Sequence, residues 1–294
     1  MIPRLKLFRP KHWVKNGLIA APLFFSLSVT AAHIWAVAVT IAGFCLISSA
    51  IYALNDVADR ESDRHHPKKK FRPVAAGLVS PAEAVGWAAV LAVAGAALLA
   101  SVDVRTLMVG LLYGLMNLAY SFWLKNFAIV DVMIIALGFV MRVIAGAYAI
   151  DVPRSHWILL CTFFVMLFVA FGKRKHEMTL AKGELSAHRR SAAEYTEGFI
   201  NQMLSVTAGL TVMFYSLYTI DAQTVVRVGT ERLIYTTPFV VFGIFRYFYL
   251  LYNKDDGGDP VKIFLSDRAL FWCAFLWLAS VTVIYFLHGH IKFW

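Results

Sequence analysis

Apolar stretches of about 20 residues recur along this chain, and polar residues are confined to the gaps between them. A helix needs such a run to cross a hydrocarbon layer roughly 30 Å thick. Irregular backbone and open sheet edges cannot face lipid, so a chain with this many runs must become a bundle of membrane helices. Only 16% of its residues are charged, against about a quarter in a soluble domain. We place spans at 16–32, 34–54, 82–101, 104–121, 127–150, 155–172, 198–220, 232–252 and 269–288. The expected fold is therefore all-α and polytopic, with nine transmembrane helices in one bundle domain over residues 1–294. The turns at Thr30–His33, Ser101–Arg105 and Asp151–Arg154 are short enough to make their flanking helices antiparallel neighbours.

The longer polar segments are 1–15, 55–81, 173–197 and 253–268. Segments 1–15, 55–81, 121–126, 173–197 and 253–267 hold 20 of the 28 Lys and Arg residues. Arg105, Arg154, Arg227, Arg232 and Lys292 fall on the other side. Basic loops stay in the cytoplasm, which puts the N-terminus inside and, after nine spans, the C-terminus outside. The same pattern explains the net charge of +10 without nucleic acid, because the cations sit between apolar runs and not on one soluble face. The basic stretch Arg4–Lys15 imitates a secretory leader, but no small-residue cleavage pattern closes a short apolar core, and it reads as the start of a retained first helix. Cys45, Cys161 and Cys273 all lie inside apolar runs, which suits neither a disulfide framework nor a metal motif.

The second span ends in Tyr52-Ala-Leu-Asn55-Asp56-Val-Ala-Asp59-Arg-Glu-Ser-Asp63. At helical pitch Tyr52, Asn55, Asp56, Asp59 and Asp63 fall within an arc of about 100°, with Glu61 on the opposite side. Oxygen-bearing side chains crowded at a membrane edge need compensation, and a hard divalent cation supplies it. Mg2+ characteristically takes one or two carboxylates and completes its shell with phosphate oxygens and water. Pro67-Lys68-Lys69-Lys70-Phe71-Arg72-Pro73 follows at once. Alone, that basic run reads as a topology signal. Beside the acidic face it suits a metal-bound diphosphate, the metal bridging carboxylate and phosphate oxygens and the cations taking the rest.

Several of these stretches resemble the UbiA superfamily of intramembrane prenyltransferases. Asn55-Asp-x-x-Asp59-x-x-x-Asp63 is similar to that family's first aspartate-rich motif, and Lys69-x-x-Arg72-Pro73 and Tyr120-Ser-x-x-x-Lys125 also fit its pattern. Where quinone- and haem-type members carry a second aspartate-rich motif, this chain has Lys173-Arg174-Lys175-His176-Glu177. Lys173, Arg174 and Glu177 share a face at helical pitch, either as a binding group or as a solvated ion pair. Arg9-Pro10-Lys-His-Trp13-Val-Lys15-Asn16, Phe71–Gly77, Gly138–Gly146 and Lys173-Arg174-x-x-Glu177 resemble the decaprenyl-phosphate phosphoribosyltransferase branch. That resemblance implies transfer of 5-phosphoribose from phosphoribosyl diphosphate to a polyprenyl phosphate, supplying a lipid-linked pentose for cell-envelope glycans. Three anionic groups must then be held together, which demands more cations and fewer carboxylates than aromatic prenylation does.

On this reading Asn55 and Asp59, helped by Asp56 or Asp63, hold Mg2+. Asp59, Asp63, Lys69 and Arg72 act at the reacting centre. Tyr52, Lys69, Arg72, Tyr120, Lys125, Asp131, Lys173 and Arg174 bind the donor, and Lys15 and Asn16 meet the lipid phosphate. Lys15 either does so or snorkels to the interface. Asp131 and Arg142 lie on one stripe of the fifth span, about 20° and roughly 16 Å apart, which should face the bundle. Asp131 suits sugar hydroxyls; Arg142 suits a buried structural network better than a ligand; Arg246 suits snorkelling. The expected partners are the two substrates and the bilayer, with a homo-oligomer also compatible. Transfer of a polyprenyl chain to an aromatic acceptor is the alternative. A transporter would carry ionisable groups at the midplane on paired broken helices, whereas these carboxylates crowd one edge.

Overall fold

The computed structural model describes residues 3–27, 29–67, 69–181, 195–253, 263 and 266–288. Lys68 of the basic run, residues 182–194 and most of 253–268 in the polar segments, and Lys292 lie outside the described residues. Among the described residues there are twelve α-helices and no strand: α1 Pro3–Leu7, α2 Ala21–Phe25, α3 Ala31–Ala58, α4 Arg60–His65, α5 Pro81–Val102, α6 Val104–Phe122, α7 Val130–Ala149, α8 His156–Ala181, α9 Glu197–Ile220, α10 Ala222–Val228, α11 Thr237–Asn253 and α12 Arg268–His288. Seven helical stretches are long and apolar enough to cross a membrane: α3, α5, α7, α8 to Thr179, α9, Arg232–Asn253 and α12. The chain is thus a multi-pass membrane protein.

Helix starts follow from local chemistry. Ser80 caps α5 by accepting from Glu83 N–H at 3.1 Å, with Pro81 in the first turn. Thr30, Asp103, Thr196 and Asp221 cap α3, α6, α9 and α10 in the same manner. Two expectations need correction. The first span is not one α-helix over 16–32; it is a 3-10 run at Pro10–Ala20, then the short α2, then non-helical chain through Leu27, whose φ is +58°. Proline starts the run at position 10 and interrupts the donor ladder at Pro22. A Cβ on Gly146 of α7 would collide with the carbonyl of Ile19, so the segment lies backbone-close on that helix. The sixth span does not stop at 172 either: α8 runs on to Ala181, so Lys173-Arg174-Lys175 is helical.

The chain divides into two compact units. The first comprises 1–25, 29–124 and 141–153; the second comprises 26–28, 125–140 and 154–294. In the first, α3 and α5 approach closely. A Cβ on Gly95 would stand 2.9 Å from the Gly43 carbonyl, and one on Gly43 would stand 2.6 Å from Leu99 Cδ2. Small residues permit such contact between membrane helices, where tight packing replaces the hydrophobic drive. A buried polar network also runs through this unit. Arg142 donates to Asn16 Oδ1 and to the Tyr113 hydroxyl, both at 2.8 Å, and Asn16 donates to Cys45 Sγ. The core of the second unit gathers Val132, Phe168, Phe171, Ile200, Leu204 and Leu251. There Arg246, partly exposed, pairs with Asp267 at 2.8 Å.

Candidate active site

The acidic end of α3 belongs to the first unit. The α-helix bends at Asp59 (φ −89°, ψ 4°), yet Asp59 N–H still reaches Asn55 O at 2.9 Å and Asp63 N–H reaches Asp59 O at 2.8 Å. Helical spacing therefore carries across the bend, and Asp56 and Asp63 turn to the same side. Both are buried, and both meet Arg72: its Nη1 lies 2.6 Å from Asp63 Oδ2 and 3.6 Å from Asp56 Oδ1. Arg72 is held by its local fold. It closes the 3-10 turn Lys69–Phe71, and Val74 and Val79 beyond it are buried with Leu7, Ala50 and Ala53.

A second guanidinium arrives from the N-terminal segment. Arg9, with φ +49°, forms an ion pair with the same Asp56 oxygen and lies 4.9 Å over the Tyr52 ring. Trp13 Nε1 donates to Ser49 Oγ at 3.1 Å, and Ser49 donates to Phe8 O at 2.9 Å, fastening the segment to α3. Two oxygens in this cluster are buried without a hydrogen-bond partner among the described residues: Asn55 Oδ1 and Asp56 Oδ2. Orphaned buried oxygens on adjacent residues are costly unless a cation, a water or another hydrogen-bond donor takes them. The donor set is all oxygen, as Mg2+ prefers. No group of three His, Cys, Asp or Glu side chains converges among the described residues. A metal here would therefore draw few protein ligands and leave positions to phosphate and water, which is the habit of Mg2+.

The second unit holds the basic segment. Arg174 and Asp131 are both fully buried, with Nε and Oδ2 3.0 Å apart. Arg174 also pairs with Glu177, and the more exposed Lys173 lies 4.0 Å from the same carboxylate. Asp131 Oδ1 accepts from the Tyr195 hydroxyl at 2.7 Å and from Val132 N–H at 2.9 Å. The Tyr195 oxygen in turn accepts from Ile129 N–H at 2.6 Å, where φ is +69°. Burial first, and the hydrogen bond to Asp131 second, push the Tyr195 phenol above its ordinary range.

The structure thus brings Asp56, Asp63 and Arg72 together, with Tyr52 beside them, and separately brings Asp131, Arg174 and Lys173 together. Asp59 sits half-buried at the bend, Lys69 is exposed in its 3-10 turn, Tyr120 is near the end of α6 and Lys125 lies in the turn Leu124–Asn126. Asp131 does not offer its oxygens to a sugar: Arg174, Tyr195 and Val132 occupy them. Asn16 is corrected too. It is buried between Arg142 and Cys45, while Lys15 beside it is only half-buried. Sequence reasoning missed Arg9 and Tyr195 as members of these clusters. The Arg9-Pro10 pair was a signal for the first; nothing local marked the second.

Residues 17–278 match the sequence profile described as the UbiA prenyltransferase family. The decaprenyl-phosphate phosphoribosyltransferase of Mycolicibacterium smegmatis is 36% identical over 96% of this chain and 92% of that protein. The protein of the same name from Corynebacterium glutamicum is 35% identical over 96% and 86%. The structure of a UbiA homolog from Archaeoglobus fulgidus, bound to GPP and Mg2+, superposes with a TM-score of 0.70 at 16% identity, covering 96% of this chain and 99% of that one. At that identity the likeness is one of fold.

Proposed function

The chain belongs to the UbiA prenyltransferase family, and from that premise we propose that it transfers 5-phosphoribose from phosphoribosyl diphosphate to a polyprenyl phosphate, releasing diphosphate. The observation that carries the reading is the cation content where aromatic prenyltransferases carry a second aspartate cluster. Here that stretch is Lys173-Arg174-Lys175, with Arg174 buried and held on Asp131 and Glu177. The named relatives support the same choice over nearly their whole length.

Asn55 and Asp59, with Asp56 or Asp63, are the residues that would hold Mg2+. When bound, Mg2+ neutralises charge on the departing diphosphate. Arg72 and Lys69 take phosphate oxygens of the donor at the reacting centre, with Tyr52 beside them. Tyr120, Lys125, Lys173 and Arg174 bind the remaining donor anions, and Asp131 serves by fixing Arg174. The bond from C1 of ribose to diphosphate breaks with its electron pair leaving on oxygen; an oxygen of the lipid phosphate forms the new bond to C1. The cations stabilise the charge that develops between these events. The nucleophile is already ionised, so the chain needs no strong base, and neither His65, at the end of α4, nor His66 after it is given that role. Lys15 meets the lipid phosphate.

The same proposal keeps one bundle domain of nine crossings, the additional two being the 3-10 run Pro10–Ala20 continued by α2, and α6. The N-terminus and the acidic end of α3 then face the cytoplasm, supported by the 20 of 28 Lys and Arg residues on that side. The test is transfer of label in detergent with Mg2+. Ribose label passing from phosphoribosyl diphosphate into a lipid fraction is the expected result. Label moving only from a polyprenyl diphosphate to an aromatic acceptor overturns it.

A further inference from the structure

Arg9 has no role in the mechanism above, yet its surroundings are those of a ligand-binding group. Its guanidinium and that of Arg72 approach one oxygen, Asp56 Oδ1. A guanidinium carries five N–H donors and prefers a planar, two-pronged acceptor. Neither arginine takes both oxygens of Asp56, because Oδ2 is buried with no hydrogen-bond partner among the described residues. The carboxylate is 1% exposed, whereas a fifth of the Arg9 side chain remains accessible. The Tyr52 ring lies 4.9 Å from the guanidinium and supports its face. The backbone is in the left-handed region at φ +49°, a conformation costly for arginine and frequent at functional sites. That strain is not needed to fasten the segment, since Trp13 on Ser49 and Asn16 on Arg142 and Cys45 already do so.

We propose that Arg9 is a donor-binding residue, exchanging its Asp56 contact for a phosphoryl oxygen of the donor diphosphate alongside Arg72. This rests on the reading of the α3 end as the diphosphate site. It adds a ligand from the N-terminal segment, so donor binding also fixes that segment.

Binding measurements on the full-length protein in detergent test it with two probes: inorganic diphosphate at fixed Mg2+, by calorimetry, and Mn2+ alone, by electron paramagnetic resonance. For Arg9→Gln, diphosphate affinity is expected to fall roughly tenfold or more, the scale of a lost charge-assisted pair. Mn2+ affinity should stay equal or rise, because removing a cation beside the carboxylates cannot weaken a divalent ion's hold by charge. Arg9→Lys keeps the charge without the fork and should show a smaller loss; Arg9→Gly relieves the backbone and should match Arg9→Gln. Thermal melts confirm that each variant is folded, and Arg9→Lys carries the test if Arg9→Gln is not. Unchanged diphosphate affinity in the folded variants overturns the inference alone and leaves a structural bridge. A parallel fall in Mn2+ affinity overturns it in favour of Arg9 orienting Asp56. No diphosphate binding by the unaltered protein overturns the α3 donor site together with it.

Discussion

Asp131→Asn is the most informative single perturbation of the second unit. The substitution keeps the shape of the side chain and an oxygen for Tyr195 and Val132 N–H, and replaces the anionic acceptor opposite Arg174 with a neutral NH2 that cannot accept from it. The two groups are fully buried with 3.0 Å between Nε and Oδ2. At an effective dielectric of about 20, that separation corresponds to about 5 kcal/mol of attraction. Glu177 remains on the same guanidinium and recovers part of it. Breaking a buried pair by removing one partner costs about 3–5 kcal/mol, so the expected loss is near the lower end, about 3 kcal/mol. Unfolding in mixed detergent micelles, followed by circular dichroism, measures it. Tyr195→Phe removes two hydrogen bonds, one to Asp131 Oδ1 and one from Ile129 N–H, and leaves the ion pair, so its cost should be about 2 kcal/mol. The double substitution Asp131→Leu with Arg174→Met should regain much of the stability while donor affinity collapses, because an apolar pair of similar volume replaces the ionic one. A loss below about 1 kcal/mol for Asp131→Asn would refute the reasoning, since the pair would then behave as a solvated surface bridge.

Alkaline pH should separate Tyr195 from the other tyrosines. Its raised pKa favours the neutral phenol in the folded protein, so its contribution is complete below the unfolded phenol's pKa of about 10 and is lost as pH rises beyond it. Melting of the unaltered protein should therefore fall more steeply above that pH than melting of Tyr195→Phe; parallel curves would contradict the hydrogen bond to Asp131. Asp59→Ala should lower Mg2+-dependent turnover by on the order of a hundredfold or more at unchanged melting temperature, as expected for a metal ligand at a bend; intact turnover removes the metal assignment. Gly146→Ala should cost about 2 kcal/mol, because its methyl group collides with the Ile19 carbonyl. Trp13 fluorescence should report the displaced N-terminal segment, and an unshifted emission would argue against that close approach.

Helix positions were readable because apolar length and capping residues fix them independently of partners. Ser80-Pro-Ala-Glu83 starts α5 within one residue of the expected boundary for that reason. Asp56 and Asp63 were readable as companions because seven residues make nearly two helical turns. Arg9 was not, since its contact spans 47 positions and depends on a left-handed backbone. Tyr195 meets Asp131 across 64 positions. The 3-10 segment at residues 10–20 brings the Ile19 carbonyl close against Gly146, a backbone contact that hydropathy does not register. Asn16 adjoins a lysine at an apparent interface, yet the turn of that narrow segment points it inward.

Leu99 extends into the space left open by two glycines. A Cβ on Gly43 would meet it at 2.6 Å, and one on Gly110 would collide with its other methyl. The three positions therefore form a size-exchange set across α3, α5 and α6: bulk gained at 43 or 110 must be surrendered at 99. Gly43 lies on the same rigid rod as Asn55, twelve residues and roughly 18 Å away. Overfilling that niche turns or lifts α3 about its axis and re-aims its acidic tip. Among homologous chains, positions 43, 99 and 110 should consequently vary in concert. A methyl group added at 43 should weaken metal-dependent turnover from a distance, and trimming Leu99 to alanine in the same chain should restore it.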